Sequence, residues 1–202
     1  METVLRKTVK DFSKNSEIIQ TIVIAMLAFL VPTFLGQLLK SIFGANSVIT
    51  NNSQIIIGSI VNTALVLTAL NLKGIWKTFF VVTMPSISTI LSGYVFKTAS
   101  FYMVWMIPAI WIGNFLLVIS FKYLMITKNR NYIVASIIGI ISKVAIIFGC
   151  FIILKSLNVF PDKLVGNLQK AMSIIQLITA TIGCIISYFI YKVEIKDKTV
   201  SN

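Results

Sequence analysis

"YIVASIIGIISKVAIIFGCFIIL", residues 132–154, decides how this chain is read. The stretch carries no charge except at its twelfth residue, Lys143. A helix needs about 20 residues to cross a hydrocarbon core of about 30 Å at about 1.5 Å per residue, and this run is longer than that. It reads as a membrane-crossing helix with an ammonium group at its middle, and the placement of that group needs a cause.

Working outward, charged residues punctuate five more runs of the same kind, at 18–39, 54–72, 78–96, 98–121 and 171–191. Together the six predict an all-α integral membrane protein with six transmembrane helices. Composition agrees. Hydrophobic residues make up 57% of the chain and charged residues 12%, and the mean hydropathy is +0.92. A soluble domain carries about twice that share of charge. The net charge of +12 does not point to nucleic acid. The bases stand singly or in small groups between apolar runs, and no basic face alternates with stacking aromatics, so a lipid bilayer is the expected partner.

Lysine and arginine flanks set the orientation. One side carries Arg6, Lys7, Lys10, Lys14, Lys73, Lys77, Lys122, Lys128, Arg130, Lys192, Lys196 and Lys198. The other carries Lys40, Lys97, Lys155, Lys163 and Lys170. The richer side is expected to be cytoplasmic, which puts both termini there: a lead of residues 1–17, a six-helix domain of 18–191 and a tail of 192–202. The first run is too long for the apolar region of a signal peptide, and no small-x-small cleavage site follows it, so it is expected to stay as a span. The multi-pass protein is expected in the cell membrane. The longest outer connections, residues 40–53 and 155–170, either cover an outward-facing pocket or are solvated links.

The acidic residues are Glu2, Asp11, Glu17, Asp162, Glu194 and Asp197, and none lies within an apolar run. Histidine is absent, and the two cysteines, Cys150 and Cys184, sit in apolar runs without metal-binding spacing. No cofactor or metal is expected. Carboxylates that would hold Mg²⁺ for a membrane phosphotransferase are missing, as is a phosphate-binding G-x-x-x-x-G-K-[ST] loop. Proton-driven carriers rely on intramembrane acids or histidine, which this chain lacks. An enzyme is not expected, and energy for transport would have to come from a partner.

In lipid, close packing and interhelical hydrogen bonds hold helices together, and the runs carry matching polar stripes. Pro85, Ser88, Thr89 and Ser92 share an arc of the third run. Gln176, Thr179, Ala180, Gly183 and Ser187 share one of the sixth, and Gly58, Asn62 and Ala69 one of the second. The small residues read as packing. The amides Asn62, Asn114 and Gln176 read either as packing contacts or as ligand contacts. Pro32, Pro85 and Pro108 each predict a kink or local unwinding. Of the aromatics Tyr94, Phe101, Tyr102, Trp105 and Trp111, the outer ones fit interfacial anchoring, while Trp105 and Trp111 are placed to stack on a flat ligand.

Lys143 lies roughly 16 Å of helix from the nearer interface, beyond the reach of its own stem. A charge at this depth costs about 2.5–3.5 kcal/mol, and no intramembrane carboxylate exists to pair with it. Ser136, Gly139 and Cys150 share its face, which points it into the bundle. Three readings stand: an uncharged lysine, a hydrated lysine in a polar cavity, or a counter-ion for an anionic ligand.

Four segments carry a family likeness: "QIIIGSIVNTALVLTALNLKG" (54–74), "MPSIST" (84–89), "MIPAIWIGN" (106–114) and "FKYL" (121–124). Over roughly residues 18–190 the chain resembles the substrate-binding S components of energy-coupling factor (ECF) transporters. The resemblance implies a six-helix fold that binds a vitamin, metabolite or metal from outside, and docking on a transmembrane T subunit driven by two ATPase subunits. It also implies docking through helix one, where such proteins often show A-x-x-x-A; this chain has Ala25 and Ala28, with Thr21 before them. Nickel or cobalt is not implied, since no histidine is present. The leading expectation is a binding subunit for uptake of a small organic, possibly anionic solute, with substrate contacts from Lys143, Asn114, Gln176, Trp105, Tyr102 and Asn62. The alternatives are a structural or assembly subunit of another membrane complex and a small stand-alone facilitator.

Overall fold

The structure, a computed structural model, describes residues 2–5, 7–8, 13–44, 46–93 and 99–200. Tyr94 and Lys97, with Arg6, Lys10 and Asp11, lie outside the described residues. Six helices long and apolar enough to cross a membrane make up the body: α1 (Asn15–Phe43), α2 (Ser53–Asn71), α3 (Ile75–Ser92), α4 (Tyr102–Thr127), α5 (Tyr132–Ser156) and α6 (Asp162–Val193).

Local chemistry sets their ends. The Ser13 side chain caps the start of α1, and the Asn131 side chain accepts from Val134 N (2.8 Å) to start α5. Glycines with positive φ turn the chain after α1 (Gly44, φ 81°), before α3 (Gly74, φ 91°) and after α3 (Gly93, φ 65°).

The three intraspan prolines behave differently from one another. Pro32 sits in a π-helical segment, Val31–Leu35. There the Phe29 carbonyl accepts from the hydroxyl of Thr33 (2.7 Å) and from Ser88 of α3. Pro108 marks the change from a 3₁₀ turn, Tyr102–Met106, to the α-helix Ile107–Ser120. Pro85 lies inside α3, which stays α-helical through it, so local unwinding does not occur there. A second difference falls in the connection 155–170. Most of it is helical: Asp162–Met172 follows Pro161, breaks at Ser173 and leads into Ile174–Val200. Its buried Leu168, Ala171 and Met172 pack with Phe151 and Phe160.

α2 is the central helix, with 61% of its apolar window buried against 22–39% in the others. It meets α6 where glycines let the backbones approach. A Cβ on Gly183 would lie 2.5 Å from Asn62 Cβ and 2.9 Å from Thr63 N, and one on Gly58 would lie 2.8 Å from Thr179 Cγ2. α4 and α5 meet in the same way through Gly113 and Gly139. The outer surface is apolar, as lipid contact requires, with Ile22, Val23 and Met26 of α1 exposed. Ala25 and Ala28 face inward instead, packed with Ala64, Leu72 and Val81. This pair therefore does not form an outer docking face.

At the end of the bundle that carries the chain termini, polar groups stitch four helices together. Glu17 pairs with Lys77 (2.9 Å) and accepts from Lys73 N (2.8 Å). Lys122, fully buried, donates to the Leu72 carbonyl (2.6 Å) and to the Lys7 carbonyl (3.1 Å). The Leu72 oxygen is one of those left open where α2 ends, and the ammonium satisfies it. Lys122→Met is expected to orphan that carbonyl and cost about 1–3 kcal/mol. A thermal unfolding midpoint in detergent equal to that of the wild type would show that Lys122 is not a fastening.

Candidate functional site

Four of the six expected site residues meet in one cleft of about 80 Å³: Asn62, Asn114, Lys143 and Gln176. It lies between α1, α2, α3, α4, α5 and α6. Gln54 near the start of α2, Ile90 near the end of α3, Met103 near the start of α4 and Ile175 after the α6 break line its outer part. All four are at helix ends opposite the Glu17–Lys122 cluster. Asn62, Asn114 and Lys143 lie deepest, toward the middle of their helices.

Asn62 is fixed by its own hydrogen bonds. Its Nδ2 donates to the Gly58 carbonyl (2.8 Å) and to Thr179 Oγ1 (3.3 Å). Its Oδ1 is left to accept from Lys143 Nζ (2.5 Å). Lys143 is only 2% exposed, and Asn62 takes one of the three protons an ammonium can donate. The stripe of small residues on α2 and α6 thus both packs the helices and aims an amide oxygen at the lysine.

Other polar groups around the cleft have no such partners. The amides of Asn114 and Gln176 meet no hydrogen-bond partner among the described residues. The Ser86 hydroxyl, buried in the cleft wall, has none either. A buried hydroxyl without a partner is costly, and such a group calls for a water or a ligand. The nearest acid in sequence on either side of the apolar runs is Glu17 or Asp162, so no side-chain carboxylate within the runs offsets the Lys143 charge. Among the described residues, no cluster of histidine, cysteine, aspartate or glutamate could hold a metal.

The expected aromatic contacts lie elsewhere. Trp105 is 61% exposed on the outer surface, and half-buried Tyr102 packs on the cluster around Met103 and Phe160. Trp111 stands edge-on to Phe79, with ring centroids 5.8 Å apart. None of the three lines the cleft, and no described residue of the connections 40–53 and 155–170 does so. Sequence reasoning missed Ser86 and treated Lys122 as a flanking charge. Ser86 gave no signal beyond its place beside Pro85.

These features define an all-helical protein with six helices long and apolar enough to cross a membrane, the build of a multi-pass membrane protein, enclosing a polar cleft around one buried lysine. Comparison of the chain with protein-family models, with curated proteins and with solved structures found no match.

Proposed function

We propose that the chain is a solute-binding subunit of a cell-membrane uptake system, and that the cleft around Lys143 holds a small organic anion. One observation carries this reading. A buried lysine without an acidic partner lines a cleft that also presents the unpartnered amides of Asn114 and Gln176, with the unpartnered Ser86 hydroxyl buried in its wall. Such an intramembrane charge is expensive unless something offsets it, and an anionic ligand does so directly.

With both termini cytoplasmic, as the lysine and arginine bias favours, the cleft opens to the outside, the side from which an importer takes its solute. The likeness of four segments to ECF S components supports the same direction of transport, with a T subunit and ATPase subunits as partners. Docking would use a surface other than Ala25 and Ala28, which are buried. No catalysis forms part of this reading.

Mass spectrometry of ligands released from gently purified protein tests it. A bound small anion, together with a co-purifying ATPase, is expected. A protein that carries no small molecule and forms a stable complex with some other membrane protein would support the assembly-subunit reading instead.

A further inference from the structure

We infer that the cleft takes a short aliphatic monocarboxylate, with its head on Lys143 and its tail toward the mouth. The inference rests on reading the cleft as the solute site and narrows the chemistry of what enters it.

Size comes first. The cleft is small, at about 80 Å³. Drug-sized ligands occupy sites of about 300–1,000 Å³. A vitamin with several rings is too large for this space.

The walls come second. Ile57, Val61, Ile90, Ile107, Ile110 and Ile175 line the cleft, and among the described residues no aromatic side chain does. A flat ring would find nothing to stack on, whereas a methylene chain packs well against branched aliphatic surface.

The third argument is charge. Among the described residues, Lys143 is the only cationic side chain lining the cleft, with no arginine fork beside it. One ammonium matches one carboxylate. A phosphate dianion or a dicarboxylate would leave a charge buried and unmatched. An amine or an amino acid would set its own ammonium against Lys143, with no carboxylate in the apolar runs to hold it. An amide completes the head site: Asn114 can donate to the carboxylate oxygen that Lys143 does not reach, while Asn62 acts as a positioning residue.

Depth orders head and tail. Asn62, Asn114 and Lys143 lie buried at mid-helix, and Ile90, Ile107 and Ile175, partly exposed, lie nearer the helix ends at the mouth.

Calorimetric titration of the wild-type protein in nanodiscs, with empty nanodiscs as the blank, decides the matter. The ligands are butanoate, hexanoate, hexanamide, hexylamine, succinate and benzoate. Butanoate or hexanoate is expected to bind at least about tenfold more tightly than hexanamide, with no binding of hexylamine, succinate or benzoate. Lys143→Met is expected to remove the preference for carboxylate over amide. Ile107→Phe, which narrows the apolar part and spares the head site, is expected to shift preference from hexanoate toward butanoate. Succinate or benzoate binding as tightly as hexanoate, in a Lys143-dependent way, overturns the substrate class and leaves the cleft as an anion site. An unchanged chain-length preference in Ile107→Phe overturns the placement of the tail. No binding of any anion, or equal carboxylate binding in Lys143→Met, overturns both this inference and the reading beneath it.

Discussion

Gly183→Val is expected to be the most damaging single substitution in the bundle. A β-carbon at this position would meet Asn62 Cβ at 2.5 Å, the Asn62 carbonyl carbon at 2.9 Å and Thr63 N at 2.9 Å. Two of these contacts are backbone, so no side-chain rotation relieves them and α6 must move away from α2. Over-packing of this kind costs about 1–3 kcal/mol or more, and valine adds two methyl groups to the clash. The shift also pulls on Asn62, which aims its oxygen at Lys143, and on the Ser187 hydroxyl that donates to the Thr63 carbonyl (3.4 Å). Loss of solute binding should therefore accompany loss of stability. Gly58→Ala makes an informative comparison. Its nearest neighbour is the Thr179 side chain at 2.8 Å, whose movement can absorb part of the strain. Gly149→Ala meets nothing within 4 Å in mid-helix and should be neutral or slightly stabilising. Unfolding midpoints in detergent should rank Gly149→Ala above Gly58→Ala, and Gly58→Ala above Gly183→Val. The reverse order would mean that α2 and α6 do not pack as described.

Lys143→Met is the second large effect, and it falls on binding rather than on folding. Methionine keeps much of the volume of the stem and removes the charge. The helices should stay assembled, with a penalty of about 1–3 kcal/mol for the Asn62 oxygen left without its donor. Removing one partner from a buried, charge-assisted contact with the ligand costs about 2–5 kcal/mol, or roughly 30-fold or more in affinity. The double variant Lys143→Met with Asn62→Leu separates the two effects. It removes both halves of the buried pair, so stability should recover relative to the single variant, because an apolar replacement of a whole buried polar pair is often neutral. Binding should not recover.

Much of the fold was legible in the sequence because lipid imposes a simple rule. A helix that crosses a bilayer cannot carry scattered charge, so the residues between Glu17 and Lys40, or between Lys77 and Lys97, mark their own limits. The inward aim of Lys143 was legible from Ser136, Gly139 and Cys150 on its face; the first two are buried and Cys150 is half-buried. Its partner was not. Asn62 stands on a small-residue stripe, but which of the intramembrane amides meets the lysine depends on how α2 and α5 are set against each other, and periodicity within one helix does not encode that. Trp105 misled for a related reason. In water an aromatic in a helix signals burial, but in lipid the outer face is as apolar as the inner one. The helix Asp162–Met172 did carry start signals, Pro161 followed by an acid in the first turn, together with apolar residues at helical spacing. Its charged residues made it resemble a solvated link. Lys122 sits at the boundary where a flanking charge and a buried cap look alike.

The central claim is that Lys143 holds a solute anion within the bundle. It is tested most directly by titrating the anion released from the wild-type protein into purified wild type, Lys143→Met and the Lys143→Met, Asn62→Leu pair. The account predicts binding to the wild type, affinity weakened about 30-fold or more in both variants, and unfolding midpoints of the wild type and the double variant close together. Equal affinity in all three proteins would contradict it and leave Lys143 as a packing residue held by Asn62.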